Sequence, residues 1–557
     1  MMKPARFVVW AAVLSAAAAR PAVAQTFATE DPVLQRMWQL GMVESQAAKL
    51  AQTLLDSIGG RLTGTPALNA GHDWLVRMYT GWGVQARKEQ YGTWTGWRRG
   101  ITHIDLTSPR VRSLEGTMMG WSAGTQGPVE GAVVLFPDVG SPQQFEAWLP
   151  QARGRFVAMD PAQPTCRPDR EWLEFGATGG RGGRGGRGGL GGRGGAAGPD
   201  TTSSFGRLQY ERDNAREAWS ARLRGAAGAQ ANASTSVLGP LVQQLRSRLE
   251  EAGAAGILHS NWSNDFGVNK VFTTNTRRIP TLDLSCEDYG LVFRLTANNQ
   301  SPKLRVEAQA EFLGEIPTFN TIAEIRGSQL PNEYVLLSAH FDSFDSSSGA
   351  TDNGTGTITM LEAVRILKLA YPNPKRTILA GHWSGEEQGL NGSRAWAHDH
   401  PEVVDGLQSL FNQDNGTGRV VNIGMGGLLA AARHFGDWMT KLPAEIADQI
   451  DLGIPGGPAG GGSDNASFAC AGAPAFGLGA LGWNYGTITW HTNRDTFDKV
   501  VIDDLKNNAT LTAMLAYLAS EDPERISRER RVMPMGRGGQ PQPWPQCQDG
   551  ARRAPGG

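Results

Sequence analysis

The chain has 557 residues, enough for a large core and for more than one domain. Its 53 lysines and arginines nearly cancel its 54 aspartates and glutamates, leaving a formal net charge of −1. No charge excess therefore points to nucleic acid or an anionic membrane surface as a partner.

The chain opens MMKPARFVVWAAVLSAAAARPAVAQTF. Lys3 and Arg6 precede an apolar run from Phe7 to Ala19, and Ala22-Val23-Ala24 supplies small residues for cleavage. That layout predicts a secretory signal peptide over 1–24, too short to span a membrane comfortably, and hence export to the periplasm or medium. No other long apolar run follows, so no membrane span is expected once the signal is removed. The four cysteines, Cys166, Cys286, Cys470 and Cys547, are too few for a disulfide scaffold, although Cys166 and Cys286 could pair.

Residues 30–57 carry apolar positions at helical spacing (Leu34, Met37, Trp38, Met42, Leu50, Leu54 and Leu55) and stop at Gly59-Gly60. A second amphipathic helix is expected over 68–81. These helices belong to a segment, 25–119, that forms the first part of the main domain. Residues 120–312 then read as a β-rich insertion, with strand-like AVVLF and RRIPTLDL around one helical stretch, QLRSRLEEAGAAG.

Inside that insertion lies ATGGRGGRGGRGGLGGRGGAAGP, residues 177–199. It holds too little apolar surface to fix one conformation and reads as a disordered, solvated loop. It also lacks the aromatic residues on which a nucleic-acid segment stacks bases, so no nucleic-acid partner is expected.

From residue 313 to 522 strands and helices alternate: EYVLLSAHFDS, TGTITMLEAVRILKLAY, RTILAGHW, QSLFNQDN, APAFGLGAL and DDLKNNATLTAMLAYLAS. Such alternation predicts a three-layer α/β/α domain around a mostly parallel twisted sheet. The tail, 523–557, is rich in Gly, Pro and Gln and is expected to be disordered.

In such sheets functional residues gather beyond the carboxyl ends of the strands. His340 and Asp342 follow the first strand, Asp352 lies in the next loop, and Glu386 and Glu387 follow RTILAGHWSG. Asp414 follows the fourth element and His491 sits in WHTNRDT. Singly, each has a bland explanation: a strand-end histidine is usually hydrogen-bonded core, and Asp-Asn-Gly is usually a turn. Jointly, so many ionisable groups at one sheet edge would be costly to desolvate without a cation. Mixed nitrogen and oxygen donors suit zinc, or manganese or cobalt.

The run NTIAEIRGSQLPNEYVLLSAHFDS with GATDNGTGT, then GHWSGEEQGLNGSRAW, NQDNGTG and WHTNRDTFDKV, resembles metallopeptidase family 28. That family includes di-zinc aminopeptidases, glutamate carboxypeptidases and carboxypeptidase Q-like dipeptidases. SIGGRLTGTPALNAGHDWLVRMYTGWGV resembles the family's N-terminal helices, and EEAGAAGILHSNW with RRIPTLDLS resembles the inserted protease-associated domain.

The resemblance implies two zinc ions, with Asp352 bridging them. His340 and Asp414 would complete one site, Glu387 and His491 the other, and Glu386 would be the general base. Asp342, two residues beyond His340 in extended chain, would accept a hydrogen bond from the His340 ring nitrogen not used for metal. Ser463 and Asp464, in GGGSDNASF, are substrate-side candidates, with Tyr485 and Arg494, though Arg494 could equally form a structural ion pair. His382 replaces an expected apolar residue and reads as a packed or surface histidine.

The implied activity is hydrolysis of short peptides by an exported di-zinc exopeptidase, an aminopeptidase or dipeptidase. Alternatives are a carboxypeptidase, a one-zinc glutaminyl cyclase, and a catalytically inactive receptor-like protein. No site residue in this reading comes from the insertion. The oligomeric state is not encoded in these features.

Overall fold

The computed structural model describes residues 30–139, 141–168, 241–536 and 538–554. The segment 1–24 expected to be a signal peptide and the glycine–arginine tract 177–199 lie outside the described residues.

Elements along the chain are α1 (Pro32–Trp38), α2 (Ala47–Gln52), α3 (Pro66–Gly81), β1 (Gln85–Ser108), β2 (Arg112–Ser113), β3 (Gly116–Met118) and β4 (Val129–Leu135). Next come α4 (Pro142–Trp148), β5 (Phe156–Ala158), α5 (Leu241–Glu251), β6 (Gly256–His259), β7 (Thr281–Leu284), α6 (Cys286–Ala297) and β8 (Lys303–Ile325). The remainder runs β9 (Leu330–His340), α7 (Thr355–Ala370), β10 (Arg376–Trp383), α8 (Asn391–Asp399), α9 (Pro401–Gly406), β11 (Leu407–Asn412) and β12 (Val420–Gly424). It ends with α10 (Ala431–Met439), α11 (Ala444–Ala447), β13 (Asp451–Gly453), α12 (Ala466–Ala469), β14 (Ala475–Ala480) and α13 (Ile502–Glu521).

The strands join in the order β13-β12-β14-β11-β9-β10-β8-β4-β5-β6-β7-β3. Centrally, β14, β11, β9 and β10 are parallel, so their carboxyl ends share one edge. Both β10 and β11 are buried along their whole length, polar Thr377, His382, Gln408 and Ser409 included, as expected of parallel strands covered on both faces. One face packs under α1–α3, α7, α10 and α13, with Leu54, Tyr79, Leu361, Phe435 and Leu515 in its core. The other packs under α8, α9 and α12 through Trp383, Trp396, Val404 and Phe468. These are the three expected layers.

Where the periodicity over 30–57 suggests one helix, the chain breaks into two with wider turns between and after them. The break falls at Ser45-Gln46, whose Oγ and backbone N–H both donate to Glu362 Oε1, at 3.0 and 2.8 Å. A buried carboxylate that needs donors outcompetes two helical hydrogen bonds there. The predicted stop at Gly59 is present, with φ of +80°.

No linker separates residues 120–312, expected to be an insertion, from the rest of the described residues. Strands β1 and β8 form one long antiparallel ribbon paired from Gln85 with Glu324 to Ser108 with Lys303, and it serves both regions. Residue 312 falls inside β8. Phe156, Leu258, Leu282 and Tyr289 share an apolar cluster with Leu62, Trp97 and Leu106 from before residue 120, and Cys166 is bonded to Cys286.

The tail is not the free chain its composition suggests. Cys547 is bonded to Cys470, Trp544 Nε1 donates to Ala469 O at 2.9 Å, and Ala551 N–H donates to Asn391 Oδ1 at 2.8 Å. Covalent closure and these contacts replace the apolar core that Gly, Pro and Gln cannot supply.

Candidate functional site

The edge formed by the carboxyl ends of β9, β10 and β11 gathers the predicted acids and histidines. His340 is the last residue of β9. Glu386 and Glu387 lie in the turn after β10, Asp414 follows β11, Asp352 lies just before α7, and His491 lies in the loop after β14.

Asp352 stands between two pairs. Its Oδ1 is 3.3 Å from His340 Nε2, which is itself 3.2 Å from Asp414 Oδ1. Its Oδ2 is 3.2 Å from His491 Nε2, which is 2.9 Å from Glu387 Oε2. One carboxylate thus faces two separate histidine–carboxylate pairs, one through each oxygen.

The electrostatics ask for positive charge. Burial, then the charge of Asp352, raises the Glu387 carboxyl to about 8. Burial would depress His491, but its hydrogen bonds to Asp352 and Glu387 outweigh this and raise it to about 9. His340 is likewise raised against burial, by Asp414 and Glu386. Burial, with Asp414, Asp464 and Glu387 nearby, holds Glu386 well above the usual carboxylate range. In effect protons supply the cationic charge that the cluster lacks.

The residues fit a metal. Ligand atoms of His340, Asp352 and Glu387 lie within 4.8 Å of one another. Glu387 Oε1 is buried without a hydrogen-bond partner. Beside Asp352, Glu387 and His491 is a cleft of about 10 Å³, the room of one water or ion.

Asp342 does not act as the sequence reading expects. His340 Nδ1 lies 3.0 Å from the Asp342 backbone carbonyl, while the Asp342 carboxylate is 3.8 Å away. That carboxylate instead accepts the backbone N–H groups of Glu386 and Glu387, at 3.2 and 3.3 Å, and the Thr63 hydroxyl at 3.2 Å. The chain leaves β9 after His340, so the two-residue repeat that would align the side chains no longer holds.

The substrate-side candidates separate. Asp464 is fully buried, with burial raising its carboxyl to about 7, and Ser463 Oγ accepts from Asn412 Nδ2 at 2.8 Å. The Tyr485 ring lies against Gly416. Burial and the nearby carboxylates of Asp352, Asp414 and Glu387 hold its phenol well above the ordinary value. Arg494 is taken up by Glu115, so the ion-pair alternative describes it. His382 is buried, with its Nε2 2.7 Å from Tyr79 Oη.

Two supporting residues escape the sequence reading. Arg61, fully buried, donates to the carbonyls of Gly59, Phe341, Ser348 and Gly349 at 2.7–3.0 Å and so shapes the loop before Asp352. Asp495 accepts the backbone N–H groups of Thr351 and Asp352 at 2.8 and 3.0 Å. Both lie within quoted motifs, SIGGRLTGT and WHTNRDT, and a charged residue in such a motif is the only signal that could have found them.

Residues 320–516 match the model of Peptidase family M28. Carboxypeptidase Q of Mus musculus is 23% identical over 489 residues, covering 88% of each chain. A peptidase M28 precursor from Shewanella amazonensis shares the fold, with a TM-score of 0.58, 21% identity and coverage of 89% of this chain and 97% of that one. A zinc aminopeptidase from Bacillus subtilis gives 0.50 at 17% identity, covering 86% and 98%.

Proposed function

Because this chain is a metallopeptidase of family M28, a hydrolase, we propose that it is an exported zinc exopeptidase that hydrolyses the peptide bonds of short peptides. The observation that carries this is the placement of Asp352 between the His340–Asp414 and His491–Glu387 pairs. We assign one ion to His340, Asp352 and Asp414, and a second to Asp352, Glu387 and His491. Residues 120–312 we read as a protease-associated insertion.

Bound zinc would supply Lewis acidity, making a water more acidic and polarising the scissile carbonyl. Glu386, not needed as a ligand, takes the proton from the attacking water and delivers it to the leaving nitrogen. Its raised affinity for a proton suits that shuttle. Asp342 holds the backbone of the turn, so Glu386 and its neighbour Glu387 face different ways from a fixed base.

Export is supported by two disulfides, and no helix among the described residues is long and apolar enough to cross a membrane. Likeness to carboxypeptidase Q across 88% of the chain favours a second reading, trimming from the carboxyl end. Dipeptides and tripeptides with free, amino-blocked or carboxyl-blocked ends test both. Loss of hydrolysis on amino blocking marks an aminopeptidase, and loss on carboxyl blocking a carboxypeptidase. Cleavage of doubly blocked peptides would sink the exopeptidase assignment.

A further inference from the structure

His491 has a φ of +59°, a left-handed conformation that costs a non-glycine residue about 1–3 kcal/mol and persists only where surroundings enforce it. The enforcing contacts come from the insertion. The Val271 N–H donates to His491 O at 2.9 Å, and the Asn493 N–H donates to Asn269 O at 3.0 Å. Asn493 Oδ1 accepts the Asn269 N–H at 2.9 Å, and its Nδ2 donates to Gly267 O at 3.0 Å. A short segment of the insertion is thus laced to the His491 loop at the histidine's own carbonyl and at Asn493, two residues on.

That segment is itself anchored. The Asn269 side-chain amide donates to the Asp283 carboxylate and to Leu284 O, in the interior of the insertion, and Asn269 and Asp283 are 2% and 1% exposed. On the ring side, Trp490 stacks on His491 with centroids 4.0 Å apart. No predicted site residue comes from the insertion, yet it holds the loop that carries one of the histidines.

We propose that Asn269 is a positioning residue for His491, tying the insertion to the metal centre so that the insertion's fold sets the geometry of the His491–Glu387 pair. The inference rests on the metal assignment above but is separable from it. Asn269 has no hydrogen bond to Glu387 or Asp352; it acts through Asn493 and, by way of Val271, the His491 carbonyl. Removing its side chain leaves Asp283 buried without one of its donors and frees the segment that clamps the loop.

The test compares Asn269→Ala and Asn493→Asp with His491→Ala in the full-length protein. Asn493→Asp keeps the acceptor for the Asn269 N–H and loses only the donor to Gly267, so it should retain part of the effect. Amide exchange of residues 488–495 is measured without metal, and zinc affinity by chelator competition. Asn269→Ala is expected to exchange faster in that segment and to bind one of two zinc ions about 10–100-fold more weakly, the usual cost of losing an outer partner of a ligand. Unchanged exchange in 488–495, or zinc binding within about twofold of wild type while His491→Ala loses an ion, overturns the proposal. Full zinc retention by His491→Ala would instead overturn the metal assignment, with the exchange data still deciding the role of Asn269.

Discussion

The carboxylate of Asp342 accepts the backbone N–H of Glu386 at 3.2 Å and, through its other oxygen, that of Glu387 at 3.3 Å. A residue at the end of one parallel strand thereby fixes the turn that follows its neighbour. Hydrogen bonds to a buried charge contribute about 1.5–3 kcal/mol each, enough to hold the turn. Asp342→Asn turns one of these acceptors into an N–H donor facing another N–H. We expect kcat to fall about 10²-fold, the cost of a misplacement near 1 Å, with a smaller change in KM. Unaltered kcat would remove Asp342 from the machinery.

Metal uptake should release protons. At pH 7 the metal-free cluster keeps a proton on His491, held at about 9, on Glu387, held at about 8, and on His340, raised well above its ordinary value. Zinc requires all three deprotonated, so about two or three protons should leave per chain. Calorimetric titration in two buffers of different ionisation enthalpy at pH 7 measures this. The release should fade as pH rises through 8 and 9; a pH-independent release would contradict the charge assignment.

The central strands and the cluster of acids and histidines were legible because both follow from local pattern: apolar runs ending in polar residues. The long β1–β8 ribbon was not, since Gln85–Ser108 mixes charged, glycine and tryptophan residues and gains its pairing from a strand about 200 positions away. Arg61 and Asp495 were missed because their work is on backbone groups, which sequence does not display. The tail was misread because composition says nothing of what one cysteine can reach: Cys547 finds Cys470, beside α12 and the Ser463–Asp464 loop.

That bond gives a stability prediction. Cys547→Ser should lower the unfolding free energy in urea by about 2–4 kcal/mol, the typical contribution of such a crosslink. It should also make the tail accessible to limited proteolysis. An unchanged urea midpoint would show that the Trp544 and Ala551 contacts hold the tail without it.

Acid sensitivity should trace partly to His382 and His72. Both are buried neutral; burial depresses each to about 3, with His382 adding to the effect on His72. The unfolded chain protonates them near 6.5, so stability is lost as pH falls from there toward 3, at about 1.4 kcal/mol per pH unit for each histidine. Above 6.5 they contribute no slope. His382→Gln, which can still accept from Tyr79, should flatten the loss between pH 6 and 4 in thermal unfolding, and an unchanged slope would refute its share.

The central claim is the division of labour between two adjacent carboxylates. It is tested most directly by zinc content per chain, measured with turnover on the same samples of Glu386→Gln and Glu387→Gln. Glu386→Gln should keep both ions and lose about 10²–10⁴-fold in kcat, the range for a lost general base. Glu387→Gln should lose one ion. Full turnover in Glu386→Gln, or two tightly held ions in Glu387→Gln, would contradict the account.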